Sequence, residues 1–137
     1  MKEFTYFLKQ NVVKRQAPDA NLARATYSES VERLALAKRL LRSEKAKYVL
    51  ENTYEAMREA ADAVLYKKGF KSYSHEASIS FLKSIGFTEQ ELREFDRFRK
   101  IRNDIKYYGG DCDEHDAKAA IKLTEKLIPR IKELLKG

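Results

Sequence analysis

"YSESVERLALAKRLLRSEKAKYVLENTYEAMREAADAVLYKKG", residues 27–69, is the stretch whose reading decides the fold. In its first part Tyr27, Val31, Leu34, Ala37 and Leu41 recur at three- and four-residue spacing. That period puts them on one stripe of a helix, predicted over about 19–42. Ser43 suits a break and a helix N-cap. A second helix is predicted over about 44–67, with Leu50, Thr53, Met57, Ala60, Ala61 and Val64 facing inward. Its alanines allow a close helix–helix approach, and Gly69 suits its C-terminal end. Two long helices joined by a short connection make an antiparallel pair.

Working outward, the same period continues. Residues 3–14 suit a short helix carrying Phe4, Phe7 and Leu8, interrupted by "QAPD" around Pro18. Ser74 suits the cap of a helix with Ile79, Leu82 and Ile85, closed by Gly86. Thr88 and Glu91 have the spacing of a capping box. They open a helix through about residue 107 that Gly109 and Gly110 end. Asp111 or Asp113 can cap a last helix over 113–135, where Ala117, Ala120, Thr124, Leu127, Ile131 and Leu134 face inward. Pro129 lacks a backbone N–H and is expected to kink that helix. No segment has the two-residue alternation of a strand. The predicted fold is all-α, an antiparallel four- to five-helix up-and-down bundle. It occupies one domain over 1–137, with 1–17 as an N-terminal extension or short helix.

Composition agrees. The chain has 137 residues, enough for one core, with 43% hydrophobic and 36% charged residues. The net charge of +7 suits an anionic partner such as nucleic acid, a nucleotide or an acidic protein. The single cysteine, Cys112, excludes an intramolecular disulfide and points to a reducing cytosol. The first residues lack the apolar run of a signal peptide, and no stretch has membrane-spanning length. A cytoplasmic protein with no membrane partner is the expectation.

The segment "RKIRNDIKYYGG", residues 99–110, breaks the pattern. Phe95, Phe98, Ile101 and Ile105 form the apolar arc of their helix, and Arg102 falls inside that arc. An unpaired guanidinium in a core is strongly unfavourable. Three arrangements resolve the conflict: an acid partner, a subunit interface or groove, or a packed stem whose head reaches solvent. Glu55 and Asp62 are the candidate acids. Tyr107 lies about 140° around the helix from Arg102, so the two meet only if the helix breaks or two chains contribute. Asn103 and Tyr107 are one turn apart and can touch. Arg97, Arg99, Lys100, Arg102 and Lys106 beside Phe95, Phe98, Tyr107 and Tyr108 suit phosphate contact and base stacking, or a solvated helix side.

Four stretches together resemble the HEPN domain, the "higher eukaryotes and prokaryotes nucleotide-binding" family. They are "YSESVERLALAKRLL" (27–41), "NTYEAMREAADAVLYKKG" (52–69), "SHEASISFLKSIG" (74–86) and "FRKIRNDIKYYG" (98–109). The resemblance implies a helical bundle, usually a homodimer. It also implies a metal-independent ribonuclease or an RNA- or nucleotide-binding relative. Many such proteins are toxins paired with a minimal nucleotidyltransferase antitoxin. The family signature is an Arg, a polar residue such as Asn, and a His after a gap of four to six. Arg102 and Asn103 match its first half. Tyr107, Tyr108 and Gly109 stand where the His belongs.

That departure bears on chemistry. Imidazole titrates near neutrality and exchanges protons readily, whereas a phenol titrates near 10. Arg102, Asn103 and Tyr107 then read as an anion site, or as a variant catalytic set with Tyr107 or Tyr108 replacing the His. Arg99, Lys100, Lys106 and Tyr108 are the further binding candidates. A protein-interaction scaffold is the third reading. No cofactor and no metal are expected. "DCDEHD" (111–116) lacks the spaced ligands of a zinc site, and acids there suit a helix N-terminus. Lys118, Lys122, Lys126 and Arg130 form a basic stripe that reads best as a solvated face. His75 reads as a first-turn surface residue.

Overall fold

The computed structural model describes residues 1–136. In chain order it contains α1 (Phe4–Lys9), β1 (Val13–Arg15), α2 (Ala20–Leu40), α3 (Ala46–Lys68), β2 (Phe70–Ser72), α4 (His75–Ser84), α5 (Glu89–Tyr108) and α6 (Glu114–Leu135). The architecture is an all-α helical bundle, as predicted, with six helices among the described residues and one two-stranded ribbon.

Local signals place the helix ends. Ser74 accepts from the Ala77 N–H, and Asp113 from the Asp116 N–H. Thr88 and Glu91 form the complete capping box. Gly69 and Gly109 close α3 and α5 in the left-handed conformation that glycine adopts without strain. Ser43 is not a cap: α3 starts after Lys45, whose side chain makes no capping bond.

α3 is the central element, packed against α2 on one side and α6 on the other. Its predicted stripe is buried, but so are Tyr54, Ala56, Ala63 and Leu65, because neighbours cover it nearly all round. Tyr54, Met57, Phe98, Leu127 and Ile131 form the main core. α2 is the outer partner, and its predicted stripe is only partly right. Val31 is 41% exposed, while Ala23, Ser30 and Ala37 are buried. These small residues bring the two backbones close, so the Ser30 hydroxyl donates to the Ala56 carbonyl at 2.7 Å. A bulkier stripe would have held α2 away from α3. Pro129 does not end α6. Leu127 and Ile131 are buried on either side of it and hold both halves against the core.

The prediction of no strand was wrong at one place. α1 is shorter than expected, and Asn11 turns the chain at φ 60° into β1. β1 pairs antiparallel with β2, Val13 opposite Ser72, Lys14 opposite Lys71 and Arg15 opposite Phe70. Strands this short carry too few residues to register as alternation. Phe4 holds α1 in place edge-on to Phe70 and Phe81, at centroid distances of 5.3 and 5.0 Å.

Candidate functional site

α3 carries Glu55, Arg58, Glu59 and Asp62 at three- and four-residue spacing on an otherwise apolar helix. They form a polar seam. Arg58 bridges Glu55 at 2.7 Å and Asp62 at 2.9 Å. Asp62 also accepts from the Ser78 hydroxyl of α4 at 2.9 Å. Arg33 of α2 closes the other side, donating to Glu59 at 2.5 Å.

Arg102 of α5 joins this seam. Its Nη2 lies 3.1 Å from Glu55 Oε1, and its Nη1 makes a long contact of 3.4 Å to Asn103 Oδ1. The guanidinium carbon stands 5.7 Å from the Tyr54 ring centroid, within reach of the ring's negative face. Of the arrangements considered for this cation, pairing with an acid is the one found, and Glu55 rather than Asp62 is the partner. Arg102 is nonetheless at an edge. It lines a cleft of about 370 Å³ with Arg33, Glu51, Asn52, Glu55 and Lys106. Three cations and two acids line that cleft, so its wall is mildly positive.

Electrostatics in the seam follow from burial and partners. Burial alone would raise the Glu55 carboxyl, but the Arg58 hydrogen bond and the Arg58 and Arg102 charges outweigh it and hold it low. Asp62 is more deeply enclosed, and burial lifts it to about 6 against the pull of Arg58 and Ser78. Burial also keeps the Tyr54 phenol protonated well above its ordinary range, despite Arg99, Arg102 and Arg58 nearby.

His75 is half-buried, not a free surface residue. Its Nδ1 lies 3.0 Å from Tyr54 Oη. Burial, then the charges of Arg58 and Arg102, hold its pKa below 6.5, with a further push from Arg99. The tautomer of His75 sets which of the two groups donates in this bond.

The other candidates separate. Among the described residues, Arg97 pairs with Glu94 and Asp116, Arg99 with Asp96 and Glu76, and Lys100 with Asp96. Most of the basic run on α5 is therefore neutralised. Lys106 has no acid partner among the described residues and stands 5.5 Å over the Tyr107 ring. α5 continues unbroken through Tyr108, so neither tyrosine meets Arg102 within one chain. Tyr107 is 63% and Tyr108 82% exposed. Asn103 turns to Arg102. The acids of 111–116 have structural tasks: Asp113 caps α6, and Asp116 bridges Arg97. Among the described residues no group of three or more His, Cys, Asp or Glu side chains could hold a metal. Burial and the carboxylates of Asp116, Asp111 and Asp113 push the Cys112 thiol up to about 11, which disfavours a thiolate. No helix among the described residues is long and apolar enough to cross a membrane.

Sequence reasoning missed Arg58 and the Tyr54–His75 pair. The Glu55, Arg58 and Asp62 spacing was the available signal for the first, since alternating charge on a mostly apolar helix implies an internal network. No comparable signal marks the second, whose partners sit on different helices.

No curated protein matches the chain. A family model described as the HEPN domain matches residues 23–134, most of its length. The bundle, the Arg102–Asn103 pair at its polar cleft and that match agree: the chain belongs to the HEPN domain family.

Proposed function

We propose that this protein binds RNA or a nucleotide in the cleft walled by Arg102, Asn52, Arg33 and Lys106. It does so as a homodimer paired through α5, within a toxin–antitoxin-type system whose other component is a minimal nucleotidyltransferase. The observation that carries the binding reading is the anchoring of Arg102. Glu55 and Asn103 fix its guanidinium at the cleft wall, and further N–H donors of its planar fork stay available to a phosphate. Lys106 adds an unpaired charge at the rim. Pairing two α5 helices about a two-fold axis would bring the exposed Tyr107 and Tyr108 of one copy toward the other copy's cleft. There they would serve as base-stacking surfaces.

Two features favour binding over cleavage. Tyr107 and Tyr108 are distant from Arg102 within the chain, and a phenol is a weak base at neutral pH. The imidazole of His75 is engaged through Nδ1 by Tyr54.

Fluorescence anisotropy with labelled single-stranded RNA and with a labelled mononucleotide tests this. Arg102→Lys keeps the charge but loses the fork, and Lys106→Ala removes the rim cation. Each is expected to weaken binding about fivefold or more, with no RNA cleavage by the wild type. Cleavage abolished by Arg102→Lys would establish the ribonuclease reading instead. Tyr107→His, which restores the family signature, would then be expected to accelerate it. Unchanged binding in both variants would leave the scaffold reading. Sedimentation velocity measures the dimer.

A further inference from the structure

β1 and β2 bring Lys14 directly opposite Lys71. Like charges facing each other across an antiparallel pair are destabilising. Among the described residues no acid offsets them: Lys14, Arg15, Lys68 and Lys71 take part in none of the ion pairs. This contrasts with α5, where acids neutralise all but one of the cations singled out.

The ribbon also has a defined outer face. Tyr73 N–H donates to the Val12 carbonyl at 2.8 Å and Gln16 N–H to the Gly69 carbonyl at 2.9 Å, so the pairing extends past both strand ends. Strand alternation puts Lys14, Lys71 and Tyr73 on the side opposite buried Val13. Tyr73 is 64% exposed, and Lys71 Nζ stands 5.5 Å over its ring. At the ribbon's end Arg15 stacks on Phe70 at 5.2 Å. Edge lysines commonly deter strand addition. That role explains one lysine per strand, but not a large aromatic ring left in solvent beside them.

β1 lies before residue 23, outside the matched HEPN region, whereas β2 lies within it. The N-terminal extension therefore supplies one strand of the ribbon, with two of its cations.

We infer that the β1–β2 ribbon is a second nucleic-acid contact, in which Lys14 and Lys71 hold the backbone of single-stranded RNA while a base stacks on Tyr73. Closely spaced unpaired cations beside an exposed ring are the elements that sequence-tolerant single-strand binding uses. The surface is distinct from the Arg102 cleft and does not depend on it.

The test uses the full chain and a short fluorescein-labelled oligouridylate. Lys14→Gln/Lys71→Gln removes the repulsion as well as the phosphate contacts. It is expected to raise or preserve the melting temperature while weakening RNA binding about fivefold or more and flattening the salt dependence by about 1.4 in the log–log slope. Tyr73→Ala is expected to weaken binding about fivefold or more. Lys122→Gln/Lys126→Gln, with the same charge change on the solvated side of α6, should alter it less than about twofold. A mononucleotide is expected to lose affinity in Arg102→Lys and to keep it in the ribbon variants. Its unchanged affinity in the ribbon variants separates the two sites, whatever its value. Equal losses in both lysine pairs would overturn the inference. So would RNA binding unaffected by the ribbon variants, or no RNA binding by the wild type. Ribbon-dependent binding to phosphatidylserine vesicles in place of RNA would overturn it in favour of a membrane surface.

Discussion

Arg102 on α5 and Glu55 on α3 form a cross-helix ion pair, Nη2 to Oε1 at 3.1 Å, with side chains 11% and 21% exposed. The pair places Arg102 at the cleft wall and also ties two helices together. Arg102→Ala is therefore expected to cost stability, by about 1–3 kcal/mol, because Glu55 loses one of its two cations. Glu55→Gln should cost a similar amount. In a double-mutant cycle read by urea unfolding the losses should be clearly less than additive. Strict additivity would mean that the pair contributes nothing.

Gly69 is the second fold-critical position. It closes α3 at φ +86°, and a Cβ there would stand 2.7 Å from the Gln16 carbonyl oxygen. Gly69→Ala is expected to destabilise by at least about 1–2 kcal/mol from the backbone conformation alone. Hydrogen exchange should show the added opening at the Gln16 and Tyr73 amides, which report the ribbon. A loss confined to α5 or α6 would contradict this account.

Asp62 gives the pH dependence a sign. Its carboxyl titrates at about 6 in the folded chain against an ordinary 3.8. Between those values the folded state holds a proton the unfolded chain has released. The stability this group contributes is full below about pH 4 and declines as pH rises through about 6. Asp62→Asn removes that titration. The wild-type stability minus that of the variant should fall by roughly 2–3 kcal/mol across the window. Urea unfolding from about pH 4 to about pH 7 measures it, and a flat difference would show an ordinary carboxylate.

His75 acts in the opposite direction. Burial, then Arg58 and Arg102, depress its pKa below 6.5, so its contribution is present above 6.5 and is lost as pH falls through the depressed value. His75→Gln should make the protein less sensitive to acid. Tyr54→Phe removes the phenol that Nδ1 contacts and should cost about 0.5–1.5 kcal/mol. NMR titration should find His75 below the ordinary imidazole value of 6.5. A value at or above 6.5 would contradict that account.

Much of the fold was legible because its causes are local. A capping box is a matter of residues three apart, and a glycine terminates a helix through its own backbone freedom. Thr88–Glu91, Ser74 and Gly69 therefore read directly, and of Asp111 and Asp113 the second proved to be the cap. The stripes of α3 and α6 read well for a related reason: helical period alone sets which positions share a face. α2 read less well. Which side of it turns inward depends on how closely α3 can approach, and small Ala23, Ser30 and Ala37 decided that over bulkier Val31.

The candidate site divides along the same line. Sequence alone determined that Arg102 lies on an apolar arc and that tyrosines, not a histidine, follow it after gaps of four and five, since both are statements about spacing along one helix. Tertiary structure decided that Glu55 neutralises Arg102, that His75 comes to rest against Tyr54, and that Lys14 faces Lys71. Each of those contacts joins residues on different elements. Its existence depends on how the helices and strands are brought together, which side-chain volume and close packing settle, and periodicity does not encode.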